Sequence, residues 1–262
     1  MKFIFAALLS SLLLVSHAGG EPNAFGREHA RDEANKDTVK RVFESLLGDQ
    51  PLQIVISGQL PDVLAPDVRG RVNPVGVFND LSGVIEYFYG LGGAAANPTT
   101  FVSEVNFPYI LADENTVFAR SDVTYHDMNG VKPDFNITLW GFYRFNDEGT
   151  ISSFDISAVN LGKTLDPPVV GRDQFINELC GGAMQACQGV LGVYDSFEEC
   201  VGFMKTLPFG TYDQAHSNTP VCRSIHLGLA FFRPDIHCAH VSKTGGGKCV
   251  DEPISVYYEK AY

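Results

Sequence analysis

The chain is short of basic residues, and it has no cysteine at all before position 180. Nineteen Lys and Arg stand against 31 Asp and Glu, giving a formal charge of −12 over 262 residues. Binding to a phosphate backbone or an anionic lipid surface needs clustered cations, so the expectation is no nucleic-acid and no membrane-surface partner. No apolar run of spanning length follows the first fifteen residues, so no transmembrane helix is expected. Gly-x-Ser-x-Gly, His-Glu-x-x-His and the dinucleotide-binding glycine pattern are also missing. Ordinary serine hydrolase, zincin and nicotinamide chemistries therefore lose their usual support. The Gly245–Gly247 run before Lys248 lacks the spacing and the Ser or Thr of a phosphate-binding loop. It reads as a tight turn beside Cys249.

What is present at the start of the chain is an export signal. Lys2 supplies a positive end, Phe3 to Val15 is apolar apart from Ser10 and Ser11, and Ser16-His17-Ala18 is a small-x-small cleavage site. Residues 1–18 are accordingly expected to be a signal peptide, and the mature protein to be secreted and soluble.

The six cysteines lie at positions 180, 187, 200, 222, 238 and 249. An even number in an exported chain implies a disulfide framework. Three bridges among Cys180, Cys187, Cys200, Cys222, Cys238 and Cys249 allow 15 connectivities, and spacing does not choose among them. Charge divides the chain in the same place. Residues 21–179 hold 23 acids and 12 bases, whereas 180–250 hold five of each. Asn136-Ile137-Thr138 is a glycosylation acceptor in an exported protein.

Pattern along the chain gives an α+β order. Residues 19–35 are polar and charged and read as a flexible leader. Val39, Val42, Phe43, Leu46 and Leu47 recur at helical spacing and stop at Gly48. Residues 51–78, rich in Pro, Gly and Val, read as irregular with short extended pieces. A second helix, capped at Asn79-Asp80, carries Leu81, Val84, Ile85, Phe88 and Leu91 on one stripe. Four β-forming segments follow, 101–111, 116–126, 135–145 and 150–159, separated by turn residues, as an antiparallel meander. The first domain is thus expected over 36–163 and a Pro-containing linker over 164–172. A cysteine-rich helical module follows over 173–262, with helices opening near Asp173, at the capping box Ser196 to Glu199, and at Thr219-Pro220.

The run from Leu139 through Trp140, Phe142, Tyr143, Arg144 and Phe145 into the turn Asp147-Glu148-Gly149 and on to Ile151 resembles the SnoaL-like, or nuclear-transport-factor-two-like, superfamily. An aromatic strand followed by an acidic glycine turn is typical there. The resemblance covers about half the mature chain. It implies helices packed on a curved antiparallel sheet to form a cone with a pocket. Superfamily members include cyclases, isomerases, dehydratases and binding proteins, so fold alone assigns no activity. The resemblance also implies a homodimer contact through the outer sheet face, where Trp140 and Phe142 would lie. Residues 180–249 look like the cysteine-rich tail of secreted fungal proteins, which brings no catalytic residue with it.

Two constellations can carry chemistry. On the third strand of the meander, Phe135, Ile137, Leu139, Gly141 and Tyr143 share one face, opposite Asn136. Tyr143, with Tyr125 or His126-Asp127 and with Asp155, is then the candidate catalytic set. An imidazole or a desolvated carboxylate in an apolar pocket can act as a general base. The structural reading of the same residues is core for Tyr143 and turn for His126. In the tail, His226, His237 and His240 offer three imidazoles on a bridged scaffold, which suits Zn or Cu; the alternative is that they are core and surface histidines. If the cysteines are bridged, sulfur does not join them. The functional expectation is a secreted protein that binds a small, largely apolar molecule in a cone-shaped pocket, with proton-transfer activity of the isomerase, cyclase or dehydratase kind. Two alternatives stay open: a non-enzymatic effector or binding protein, and a metal-binding protein acting through the tail histidines.

Overall fold

The computed structural model describes residues 24–59, 62–93, 100–130, 133–251 and 253. The expected signal peptide and the start of the leader lie outside them. Helix α1 spans Ala24–Glu44, so the leader is helical from Ala24 onward. Its first turns are charged and mostly solvated, which hides any apolar period. They are supported by the i,i+3 pairs Glu33–Lys36 and Asp37–Lys40. The apolar stripe read from the sequence is buried: Val39, Val42, Phe43 and Leu46 all belong to the core.

Residues 51–78 are far more regular than their composition suggests. They form α2 (Gln50–Ser57) and the strands β1 (Leu64–Asn73) and β2 (Gly76–Phe78). Next comes α3 (Leu81–Val84), capped by Asp80 accepting from the Gly83 amide at 2.8 Å. It continues as π-helical turns over Ile85–Leu91. The strands β3 (Thr100–Asp113), β4 (Thr116–Asp127), β5 (Phe135–Phe145) and β6 (Ile151–Ala158) form the expected meander. Among the described residues the sheet has six strands in the order β2-β1-β6-β5-β4-β3. It is mixed rather than purely antiparallel, because β1 joins β6 in parallel. That pairing is invisible locally: β1 carries Pro66, Gly70 and two arginines, and its partner lies about eighty residues on.

Helices α1 and α3 pack on the concave face of this sheet. Phe43 meets Phe88 and Tyr143 edge-on, with ring centroids 5.7 and 6.3 Å apart. Gly141 is required beneath Tyr143, because a Cβ there would stand 2.5 Å from the Tyr143 hydroxyl. On the convex face Tyr109, Phe118, Trp140 and Phe142 form an aromatic ladder. Tyr109 and Phe142 are exposed.

After α4 (Leu161–Leu165) the cysteine-rich region supplies α5 (Arg172–Ala186), α6 (Phe197–Met204), α7 (Pro220–Ala230) and α8 (Pro234–Val241). Ser196 caps α6 and Thr219 caps α7, as read from sequence. The Glu199 side chain reaches back to the Asp195 amide rather than to that of Ser196. The bridges are Cys180–Cys200, Cys187–Cys238 and Cys222–Cys249, and no cysteine is free. This region has its own buried cluster, including Ile176, Leu179, Met204 and Val241. It packs against the first core closely: a Cβ on Gly90 would stand 2.9 Å from Leu229.

Candidate functional site

Between the helices, the concave sheet face and α7 lies a cavity of about 400 Å³. Phe135, Ile137 and Leu139 reach it from β5, as strand parity places them, with Val123 and Tyr125 from β4 and Ile156 and Ala158 from β6. The cysteine-rich region contributes Tyr212, Ser224, Ile225 and Gly228. The cavity is therefore walled by both halves of the chain, a contribution of the tail that no sequence period signals.

Among the described residues the cavity wall is aliphatic and aromatic, and its polar side chains are the hydroxyls of Tyr87, Tyr125, Tyr212, Thr100 and Ser224. Tyr125 donates to the Gly92 carbonyl at 2.9 Å, and the Tyr212 and Ser224 hydroxyls are 3.3 Å apart. Burial holds the hydroxyls of Tyr87, Tyr125 and Tyr212 protonated above the ordinary tyrosine range. Each is a neutral hydrogen-bonding group at neutral pH.

The catalytic set expected from sequence does not assemble. His126 is exposed and bonds Asp134 at 2.8 Å. Asp155 faces the convex side, where it pairs with Arg71; its register partner on β5 is Phe142, itself an outer-face residue. Tyr143 points inward but into the packed core around Phe43, and its buried hydroxyl has no hydrogen-bond partner among the described residues. None of the three lines the cavity. The parity that sends Phe142 outward also sends Asp155 outward, and that signal was present in the sequence.

The tail histidines do come together. His226 sits on α7, and His237 and His240 lie three apart on one face of α8. Nδ1 of His226 is 3.3 Å from Nδ1 of His237, 3.2 Å from Nδ1 of His240 and 3.2 Å from the Tyr87 hydroxyl. One ligand atom from each histidine lies within 4.8 Å of the other two. Behind them, Nε2 of His237 donates to Glu86 at 3.1 Å, and Arg233 donates to the other carboxylate oxygen at 2.7 Å. Burial, then the neighbouring imidazoles and cations, pushes His226 well below its ordinary value. His240 is pushed down to about 4, chiefly by burial. Cys222 and Cys249 also lie near His226, but their sulfurs are bridged to each other. Glu86 and Tyr87 come from the π-helical turns (such turns are frequent at functional sites), nearly 140 residues upstream of α7.

Comparison with known proteins adds relatives for the whole chain. A family model described as the BfoA family C-terminal domain matches residues 154–252, from β6 through the cysteine-rich region. The chain is 25% identical to "Bifonsecin B biosynthesis cluster protein A" of Aspergillus brasiliensis, over 96% of this chain and 90% of that protein. It is 26% identical to "Aurasperone B biosynthesis cluster protein A" of Aspergillus niger, over 71% of this chain and 67% of that one. A candidate SnoaL-like polyketide cyclase from Jannaschia sp. CCS1 aligns in structure with 52% of this chain and 95% of its own. That alignment has 15% identity and a TM-score of 0.38.

Proposed function

We propose that this is an exported binding protein whose cavity takes up one small, largely apolar molecule. The observation that carries the reading is the cavity itself. It has about 400 Å³, which lies in the range of small-molecule sites, and its wall is apolar with a few hydroxyls placed to orient a guest. A general base would need an imidazole or carboxylate at the guest, and the wall offers tyrosine and serine hydroxyls instead, among the described residues. That favours binding over proton-transfer catalysis. Two relatives are named for the biosynthesis clusters of bifonsecin B and aurasperone B, which supports a biosynthetic small molecule as the natural guest. Three disulfides support passage through an oxidising compartment.

The test is titration of the full chain with N-phenylnaphthylamine, a neutral apolar fluorophore. Saturable one-to-one binding is expected, and Ala158→Phe and Ile225→Glu, which fill or charge the wall, should each weaken it at least about tenfold, since burying an unpaired charge is costly. Absence of saturable binding, or equal affinity in both correctly folded variants, would sink the reading.

A further inference from the structure

The histidine cluster lies beside the cavity but is not explained by it. With one proton on each ring, its hydrogen bonding does not close. The Glu86 carboxylate can only accept, so His237 donates to it from Nε2, and with a single proton on the ring Nδ1 presents a lone pair. That lone pair faces Nδ1 of His226 at 3.3 Å. The same His226 nitrogen also faces Nδ1 of His240 and the Tyr87 hydroxyl, both at 3.2 Å. An imidazole nitrogen holds either one proton or one lone pair. If His226 donates to His237, it has nothing for the other two neighbours. If it keeps a lone pair there, two lone pairs point at each other in a buried site.

A cation at the point of convergence resolves the conflict. Three neutral imidazoles can then direct lone pairs at one centre. Both spacings to His226 fit: metal–nitrogen bonds of 2.0–2.1 Å in a tetrahedral site put neighbouring ligand atoms about 3.3–3.4 Å apart, against 3.3 Å to His237 and 3.2 Å to His240, and the three ligand atoms all lie within 4.8 Å of one another. The surroundings fit as well. A ligating histidine whose second nitrogen donates to a carboxylate is the usual way a metal site fixes ring orientation, and Glu86 does this for His237. Glu86 in turn is held by Arg233. The Cys187–Cys238 bridge fastens α8 at the residue next to His237, and Cys222–Cys249 fastens the start of α7. His226 and His237 are buried, whereas His240 is partly exposed and offers a way in.

We propose that His226, His237 and His240 bind a single zinc- or copper-class dication through their Nδ1 atoms, with Glu86 as the positioning residue behind His237. Tyr87 bridges this site and the cavity, since its ring lines the cavity and its hydroxyl stands at the same ligand spacing from His226. The all-nitrogen donor set suits Zn²⁺ and Cu²⁺ and excludes a hard oxygen-seeking ion. This site does not depend on the cavity having a guest.

The experiment loads the chelator-stripped full chain with Zn²⁺ and, separately, Cu²⁺, and measures bound metal after equilibrium dialysis. About one equivalent of at least one of the two is expected, with copper showing nitrogen hyperfine structure from imidazole in its paramagnetic resonance spectrum. His237→Ala and His240→Asn should abolish stoichiometric binding, and His126→Ala should leave it intact. Glu86→Gln should weaken affinity by about 10–100-fold. A wild-type circular dichroism spectrum and a cooperative urea-unfolding transition show that a variant is folded; if His237→Ala fails this check, the partly exposed His240→Asn decides. Less than about a tenth of an equivalent of both metals at about 10 µM free ion, or full binding in folded His240→Asn, overturns the proposal.

Discussion

Nε2 of His237 and the carboxylate of Glu86 meet at 3.1 Å across 151 positions of sequence. The contact is buried on both sides, and it ties the helix beneath the curved sheet to α8 of the cysteine-rich region. Arg233 completes the arrangement at 2.7 Å. Removing the buried carboxylate strands the buried His237 N–H, which costs about 1–3 kcal/mol, while the partly exposed Arg233 can turn to water. Glu86→Ala should therefore lower the urea-unfolding free energy by roughly that amount. Glu86→Gln keeps an acceptor for His237 and should lose less. Equal stability of wild type and Glu86→Ala would show that the contact does not form in solution.

The bridges offer a second expectation. Closing a loop restrains the unfolded chain, and the restraint grows slowly with loop length. Cys187–Cys238 spans 51 residues and Cys180–Cys200 spans 20. Replacing the longer pair with serine should cost about 4 kcal/mol and the shorter about 3 kcal/mol. The loss should fall on the cysteine-rich region first, because the sheet core contains no cysteine. Hydrogen exchange of the Cys187→Ser, Cys238→Ser double variant measures this directly. Amides of α8 should lose protection before those of β4 and β5, and simultaneous loss would contradict the separation of the two cores.

Local signals carried most of what was legible in the sequence. The caps at Asp80, Ser196 and Thr219 act within three residues of themselves, and the alternation in β5 is a property of one strand. What stayed hidden depends on distant partners. β1 becomes a strand by pairing with β6, and its own proline, glycine and arginines argue against it. The cysteine pairing depends on where four helices pack. His237 and His240 could be seen as neighbours on one helix, but Glu86 and Tyr87 reach them only through the tertiary fold. The residue types of Asp155 and His126 suit a pocket base, but neither residue lines the cavity. Parity sends Asp155 out with Phe142.

Tyr143 gives a sharp test of that correction. Its hydroxyl is buried with no partner among the described residues and lies over Gly141, where an added Cβ would stand 2.5 Å away. A buried polar group without a hydrogen bond costs about 1–3 kcal/mol. Tyr143→Phe should thus raise stability or leave it unchanged, and it should leave uptake of an apolar probe as it was. Gly141→Ala should destabilise by about 1–3 kcal/mol through overpacking, and only slightly less in the Tyr143→Phe background, where the hydroxyl is gone but the ring carbons Cζ and Cε2 would still stand 2.7 and 2.8 Å from the added Cβ. A double-mutant cycle reads this coupling. Loss of probe binding in Tyr143→Phe would return this residue to the site.

Asn136 tests the expectation of export together with the facing of β5. Its side chain is exposed, and its neighbours Phe135 and Ile137 both line the cavity. A glycan there would project from the convex surface, away from any guest. The backbone carbonyl of Asn136 is engaged by Asn160 at 2.8 Å, a contact that modification of the side-chain amide leaves in place. Expressed through a eukaryotic secretory pathway, the chain should carry a glycan at Asn136, seen as a mass shift that peptide N-glycosidase removes and Asn136→Gln abolishes. Probe affinity should be the same with and without it. A glycan that blocks the cavity would contradict the strand's facing, and an unmodified Asn136 in protein recovered from the medium would show that exposure of this acceptor is not enough for its use.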